Sequence, residues 1–176
     1  NNLKNSKKKL ELILKILKNF KNYSLIFTLP SHDIGNNIFE KLIRNFVKEN
    51  KNSKVYENLG HENYLSLIKI SSLVIGNSSS GILETPSFNK FSINIGKRQE
   101  GRVFSKLVIN INENLFKLEK TIKSLIKKKR NNIINNRNNL YFKKNTVENT
   151  IKILKKLKIK KLKKIKDFRD IKFYEH

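Results

Sequence analysis

Short apolar runs that alternate with helical patterns constrain the fold of this chain more than any other feature of its sequence. Ser24–Leu29 and Ser72–Gly76 are the clearest of these runs, as expected of strands buried on both faces of a sheet. The predicted strands are Ser24–Leu29, Ser53–Tyr56, Ser72–Gly76, Phe91–Ile95 and Leu107–Ile111. Strands that alternate with helices indicate βαβ units. We therefore predict an α/β fold, a Rossmann-like doubly wound parallel sheet.

The segments between the runs have apolar residues at helical spacing. The predicted helices are Leu3–Phe20, Asn36–Glu49, Glu62–Ile70, a helix carrying Ile82 to Glu84, Leu115–Ile126 and Thr146–Leu157. Right-handed crossovers place ligands beyond the carboxyl ends of the strands in such folds. The loops expected to carry function are therefore Pro30–Gly35, Leu59–Glu62, Asn77–Gly81 and Gly96–Arg102.

Composition excludes several classes of protein. The chain has 176 residues and no cysteine, which excludes disulfides, Cys-ligated metal sites and thiol nucleophiles. The three histidines, His32, His61 and His176, lack metal-ligand spacing, so we expect no metal and no cofactor. No apolar run approaches the 18 residues of a membrane span, and no targeting sequence is visible, so the cytoplasm is the default location. Because the chain begins at Asn1 and contains no Met, we expect a piece of a longer protein.

The net charge of +25 is a weak guide to function. Lysine supplies 33 of the 39 basic residues, in a sequence that is also dominated by Asn and Ile. Nine of the 15 residues from Lys152 to Lys166 are lysine, which could serve acidic membranes or nucleic acid. The alternative, a solvated helix face, is favoured because no aromatic residues are interleaved with these lysines. We therefore expect no membrane and no nucleic acid among the partners.

The loop after the third predicted strand suits an anion. Gly76 and Asn77 end the strand, and Ser78, Ser79, Ser80 and Gly81 lead into a helix. Small residues allow close approach, hydroxyls donate, and a helix start has unpaired N–H groups and a positive dipole end. The sequence therefore predicts a phosphate-binding loop. The alternative is that these serines only cap the helix.

Three charged residues extend this site. Glu84 lies one turn into the helix, where a carboxylate can accept from both hydroxyls of a ribose, or simply complement the helix dipole. Arg98 and Arg102 are two of six arginines and lie in a loop bounded by glycines. The planar guanidinium suits a pyrophosphate, although a salt bridge between the two loops is an alternative for at least one of them.

These residues form a pattern that resembles the UDP-N-acetylglucosamine 2-epimerase family, most closely its hydrolysing, N-acetylmannosamine-forming branch. The matching positions are Gly76-Asn77-Ser78-Ser79-Ser80-Gly81, Glu84, Pro86, Phe88, Asn94-Ile95-Gly96, Arg98-Gln99 and Gly101-Arg102. The resemblance implies a GT-B fold, in which two Rossmann-like domains face a cleft, with this chain as the C-terminal half. Ser31 stands where the family often has Asn, and Leu140-Tyr141-Phe142 replaces a common Pro-Tyr-Gly.

The resemblance also implies roles for individual residues. Ser78 and Ser79, in the loop that continues through Ser80 and Gly81, would contact a diphosphate. Glu84 would bind the ribose, Arg98 would support the phosphates, and the backbone around Gly60 and His61 would face the uracil. The acid and base residues of the family lie outside this chain, so we expect no catalytic residue in it.

The resemblance implies two parts of the chain. Residues 1–150 would form the nucleotide-binding domain, and residues 151–176 a basic helical segment that crosses back to an N-terminal domain. The whole enzyme would convert UDP-N-acetylglucosamine to N-acetylmannosamine and UDP in the biosynthesis of sialic-acid-type sugars, as a homo-oligomer. This chain alone would be inactive. One alternative is a GT-B glycosyltransferase domain that binds a UDP-sugar, and another is a basic nucleic-acid-binding module.

Overall fold

The computed structural model describes residues 2–29, 37–112, 115–128 and 138–156. The chain divides into two compact units, residues 1–142 and 143–176. The first contains all the strands that are described here. Of the second, the structure describes residues 143–156, which contain one helix. This division falls eight residues before the boundary at residue 150 that we expect from the sequence, and the division into a nucleotide-binding domain and a crossing segment stays a prediction.

Five short parallel strands lie where the apolar runs predict them. They are β1 (Leu25–Thr28), β2 (Ser53–Tyr56), β3 (Val74–Gly76), β4 (Ser92–Ile95) and β5 (Val108–Ile111). Strand β1 pairs with β2, and β3, β4 and β5 pair in that order, with every pair parallel. The hydrogen-bonded ladders thus form two groups rather than one continuous ladder. Parallel strands joined by helices, except β4 and β5, which a loop connects, confirm the α/β, Rossmann-like fold.

The helices also follow the predicted pattern. They are α1 (Asn2–Leu17), α2 (Asn37–Glu49), α3 (Gly60–Ile70), α4 (Ser80–Leu83), α5 (Leu118–Lys127) and α6 (Thr146–Lys156). Two 3-10 turns, Thr85–Phe88 and Leu115–Lys117, adjoin α4 and α5. Helix α4 is much shorter than an ordinary helix because Pro86 has no N–H to donate, and the chain tightens into a 3-10 turn around it.

Strand β4 is covered on both faces, as side-chain alternation in a strand requires. Ile93 packs into the main apolar cluster with residues of α1 and α5, among them Leu14, Leu118 and Ile122. Ser92, the residue before Ile93, lies on the opposite face, next to α4, where its hydroxyl donates to the carbonyl oxygen of Gly81 at 2.5 Å. Burial on both faces makes β4 the element that fixes where the loops at its carboxyl end lie.

The described residues contain no helix that is both long and apolar enough to cross a membrane. Helix α6 is exposed along its whole length, including Val147, Ile151 and Leu154. Its hydroxyl-bearing residues bond locally: Thr146 and Thr150 donate to the carbonyl oxygens of Lys143 and Thr146.

Candidate functional site

Two loops meet at the carboxyl edge of the β3–β4–β5 ladder. Strands β3 and β4 run parallel with Gly76 opposite Asn94, so the segments that follow them leave the same edge. We call residues 77–81 the serine loop and residues 96–102 the arginine loop. The side-chain Nε2 of Gln99 donates to the carbonyl oxygen of Asn77 at 2.9 Å, which joins the two loops directly. The structure thus brings together two of the four loops that the sequence predicts to carry function.

The serine loop is partly bonded within itself. The hydroxyl of Ser78 accepts from the N–H of Ser80 at 3.3 Å, and the carbonyl oxygen of Ser78 accepts from the N–H of Gly81 at 3.3 Å. Both N–H groups therefore have acceptors already, although N–H groups at the start of a helix are expected to be unpaired. The N–H groups of Ser78 and Ser79, and the hydroxyl of Ser79, find no partner among the residues described. These three donors, together with the proton of the Ser78 hydroxyl, which only accepts within the loop, remain available.

Gly81 anchors the serine loop to β4 through its carbonyl oxygen, which accepts from the hydroxyl of Ser92. A Cβ placed on Gly81 would lie 3.6 Å from the Cβ and 3.7 Å from the hydroxyl of Ser92, an ordinary van der Waals contact. The anchor at this position is therefore the carbonyl group, and the contact itself does not require a glycine.

Glu84 ends α4, and Ser80 orients its side chain. The hydroxyl of Ser80 donates to Oε2 of Glu84 at 2.6 Å, four residues along the chain. The same turn is braced by the hydroxyl of Thr85, which donates to the carbonyl oxygen of Ser80 at 3.2 Å. Oε1 of the half-buried Glu84 makes no hydrogen bond within the described parts of the chain. This oxygen can therefore accept from a ligand hydroxyl.

The arginine loop holds its two arginines in solvent. Gly96 and Gly101 have φ values of 84° and 82°, which allow the chain to turn at both ends of the loop. The N–H of Glu100 donates to the carbonyl of Lys97 at 2.9 Å, and that of Arg102 to the carbonyl of Gln99 at 3.2 Å. Arg98 and Arg102 are exposed, and neither forms a salt bridge within the described ranges. The link between the loops comes from Gln99 instead of an arginine.

Gly60 and His61 lie at a different strand–helix junction. They begin α3, after β2, where Gly60 has a φ of 68° and its N–H donates to Oδ1 of Asn58 at 2.8 Å. Both are exposed, and no hydrogen bond joins them to the serine loop in the part of the chain that is described. The loop Pro30–Gly35, with His32 and Ser31, lies outside the described residues.

Three residues brace the site, and a bracing role was predicted from the sequence for none of them. Asn139 is only 9% exposed, and its Nδ2 donates to the carbonyl oxygen of Leu83 at 2.7 Å and to the hydroxyl of Ser87 at 2.6 Å. The hydroxyl of Tyr141 donates to the carbonyl of Val103, just beyond the arginine loop, at 3.0 Å. Gln99 is the third. Such links between distant segments have no periodic sequence pattern, although the resemblance already included Gln99 and Tyr141 among its compared positions.

A metal site is absent from the part of the chain that the structure describes, where no three His, Cys, Asp or Glu residues cluster. The groups that the site offers are instead hydroxyls, backbone N–H groups, one carboxylate and exposed guanidinium groups. Donors and cations of this kind suit an anion such as a phosphate. The carboxylate of Glu84, next to these donors, can accept a hydrogen bond from a hydroxyl group of the molecule that carries the phosphate.

Comparison with known proteins places the chain in a family. The family profile for UDP-N-acetylglucosamine 2-epimerase matches residues 1–155, which is most of the chain. The chain belongs to the UDP-N-acetylglucosamine 2-epimerase family. The match includes β1 to β5 and both loops of the site.

Curated relatives agree with this membership. The chain is 43% identical over 110 residues to a GDP/UDP-N,N'-diacetylbacillosamine 2-epimerase (hydrolyzing) from Campylobacter jejuni, covering 62% of this chain and 29% of that protein. It is 35% identical over 144 residues to the polysialic acid biosynthesis protein P7 of Escherichia coli, covering 81% of this chain and 37% of that protein. A UDP-N,N'-diacetylbacillosamine 2-epimerase (hydrolyzing) from Legionella pneumophila is 30% identical over 90 residues, 51% of this chain and 24% of the relative. The chain thus spans well under half the length of these relatives.

Proposed function

We propose that this chain is the UDP-binding part of a hydrolysing UDP-N-acetylglucosamine 2-epimerase. The whole enzyme would convert UDP-N-acetylglucosamine and water to N-acetylmannosamine and UDP in the biosynthesis of sialic-acid-type sugars. Family membership supports the reaction class, and two relatives are named as hydrolyzing 2-epimerases. The site supports the part of the reaction that belongs to this chain, which is to hold the nucleotide.

The observation that carries the proposal is a set of unpaired donors on two joined loops. The serine loop offers the N–H groups of Ser78 and Ser79 and the hydroxyl of Ser79. The hydroxyl of Ser78 accepts one bond in the loop and still has its own proton to donate. The guanidinium of Arg98, on the loop that Gln99 ties to Asn77, adds a cation. A diphosphate has enough acceptor oxygens to satisfy all of these groups.

Glu84 supports the choice of a nucleoside diphosphate over inorganic phosphate. One oxygen of its carboxylate is held by the hydroxyl of Ser80, and the other is available. An acidic residue close to a phosphate loop accepts from ribose hydroxyls in dinucleotide-binding folds. We assign Glu84 to the ribose and Ser80 to orienting it. Gly60 and His61 are assigned to the uracil from the family resemblance.

The proposed reaction begins with loss of the C2 proton of the sugar to a base, while the bond between C1 and the UDP oxygen breaks. UDP leaves with the bonding electron pair, and an unsaturated sugar remains. Water then adds to C1, and a proton returns to C2 on the opposite face, which yields N-acetylmannosamine. Negative charge develops on the leaving diphosphate, so donors that are already in position lower the barrier. Ser79 and Arg98 supply that stabilisation in this chain.

The acid and base groups are assigned to the part of the enzyme outside this chain. The matches to this chain cover only 29% and 37% of the length of two relatives. On this proposal the chain forms the C-terminal half of a GT-B fold, with residues 1–150 as the nucleotide-binding domain. Residues 151–176 cross back to the other half. The full-length enzyme acts as a homo-oligomer in the cytoplasm without a cofactor.

Titration calorimetry of the 176-residue chain with UDP, UMP and a short DNA duplex, in roughly physiological salt, tests the proposal. We expect UDP to bind more tightly than UMP because the second phosphate adds acceptors. A hydrogen bond to a charged group contributes about 1.5–3 kcal/mol, so Arg98→Ala is expected to weaken UDP binding about ten- to hundredfold. Ser79→Ala is expected to weaken it about tenfold for the same reason.

Two variants serve as matched controls. Lys48→Ala removes one positive charge from an exposed position in the last turn of α2, at the end of that helix remote from the carboxyl edge. Ser66→Ala removes an exposed hydroxyl from α3. Both are expected to bind UDP as the unmodified chain does. Binding of DNA that falls steeply with salt and ignores Arg98→Ala and Ser79→Ala would contradict the proposal and favour a basic nucleic-acid-binding module.

A further inference from the structure

Gln99 occupies an unusual position for a polar residue in a surface loop. It is 4% exposed, whereas Arg98 and Glu100 on either side of it are exposed. Glutamine is mostly found on protein surfaces, and its amide group is costly to bury without hydrogen bonds. The bond from its Nε2 to the carbonyl oxygen of Asn77, at 2.9 Å, offsets that cost and spans 22 residues of sequence.

This bond joins the loops beyond the end of the strand ladder. Pairing between β3 and β4 stops at Gly76 and Asn94, one residue before Asn77. Within the described residues, no other hydrogen bond joins the serine loop to the arginine loop. The arginine loop is closed on itself by its two backbone bonds, so Gln99 is directed inward while Arg98 remains in solvent.

The acceptor that Gln99 holds also determines where an N–H group points. In a planar trans peptide, the C=O of one residue and the N–H of the next point in opposite directions. Asn77 C=O and Ser78 N–H belong to the same peptide unit. Because Gln99 holds the C=O on the inner side of the loop, the N–H of Ser78 is directed away from Gln99. That N–H has no acceptor among the described residues.

We propose that Gln99 is a positioning residue: by holding the Asn77 carbonyl, it directs the N–H of Ser78 outward and fixes the spacing between Arg98 and the serine loop. This role rests on the proposed function, because the ligand that benefits is the diphosphate. Gln99 does not touch the ligand. It acts through the orientation of one peptide unit and the placement of the neighbouring arginine.

Two variants separate this role from simple packing. Gln99→Met keeps the length of the side chain and removes the donor, and it is expected to weaken UDP binding about two- to tenfold at every pH. Gln99→Glu places an acceptor against the Asn77 carbonyl when ionised, but its protonated carboxyl can donate to that carbonyl. Burial raises the pKa of a carboxyl, so acidification is expected to restore UDP affinity in the Glu variant, relative to the unmodified chain at the same pH. Val103→Ala, at an exposed neighbouring position, is the control.

Amide hydrogen exchange in the free chain gives a readout that needs no ligand. We expect Gln99→Met to accelerate exchange at Ser80 and Gly81, whose N–H groups are bonded to the hydroxyl and the carbonyl oxygen of Ser78, while the exchange of β4 stays unchanged. Unchanged exchange at these amides, together with unchanged UDP affinity in both variants, would overturn the positioning role. If both variants lost UDP affinity equally and acidification did not restore it in Gln99→Glu, the positioning role would be overturned, and the loss would be explained by side-chain packing. If the unmodified chain failed to bind UDP, the proposed function would fail, and the exchange result would still decide whether Gln99 orients the peptide.

Discussion

Replacement of Asn139 by alanine tests whether side-chain bonds to distant backbone hold the site together. The Asn139 side chain makes three hydrogen bonds: to the carbonyl of Leu83 at 2.7 Å, to the hydroxyl of Ser87 at 2.6 Å, and from the N–H of Tyr141 at 2.9 Å. A typical bond contributes about 1 kcal/mol to stability, so Asn139→Ala is expected to lower the free energy of unfolding by about 3 kcal/mol. For a chain of this size that corresponds to a fall of about 9 °C in Tm.

The adjacent Asn138 provides a matched control. Its Nδ2 makes one hydrogen bond, to Oδ1 of Asn89 at 3.1 Å, and the residue is half-buried. Asn138→Ala is therefore expected to cost about 1 kcal/mol or less, about 3 °C in Tm. Thermal unfolding followed by circular dichroism at 222 nm compares the two variants with the unmodified chain. Equal shifts in Tm for both variants would refute the reasoning, because the number of bonds at Asn139 would then have no effect on stability.

Three further predictions concern the core, the pH dependence and the activity of the chain. Leu107 is fully buried, so Leu107→Ala is expected to lower stability by about 2–5 kcal/mol in urea unfolding, whereas a similar loss in the exposed Val103→Ala would contradict the burial argument. Burial lowers the pKa of Lys90 in the folded chain, so the unfolded chain keeps this proton to a higher pH. The free energy of unfolding is therefore expected to rise with pH in the alkaline range between the folded and unfolded pKa values. Lys90→Met is expected to flatten this rise, and an unchanged slope of unfolding free energy against pH would contradict the burial of a titrating Lys90. The chain incubated alone with UDP-N-acetylglucosamine is expected to release no N-acetylmannosamine, and release above a protein-free blank would place catalytic groups in this chain.

The strands were predictable from the sequence because each is a short segment rich in β-branched or aromatic residues and lies between helical patterns or turn residues. Ser53–Tyr56 agrees residue for residue, and the other four strands differ from the prediction by at most two residues at an end. The helix after the serine loop was predicted without its length. Pro86 limits it, and the tertiary contact of Gly81 with Ser92 holds it in place.

The residue types of the site were also predictable, but their hydrogen bonds were not. Serines before a helix, Glu84 and a pair of arginines indicate an anion site by their chemistry alone. The sequence left open whether an arginine joined the two loops, and the structure gives that connection to Gln99. Loops have no periodic pattern of buried and exposed residues, so the burial of Gln99 between the exposed Arg98 and Glu100 could not be predicted from the sequence. Only the three-dimensional approach of Asn77 makes this residue a link.

Nuclear magnetic resonance titration of the 15N-labelled chain with UDP tests the central claim most directly. We predict saturable shifts at the amides of Ser78 and Ser79 and at the Arg98 side-chain Nε, with α6 (Thr146–Lys156) unaffected. Inorganic phosphate is expected to shift the same amides at higher concentration only, because it lacks the ribose that Glu84 would hold. Shifts confined to the lysines of α6, or spread over the surface and abolished by salt, would contradict the claim that the serine and arginine loops form a UDP site.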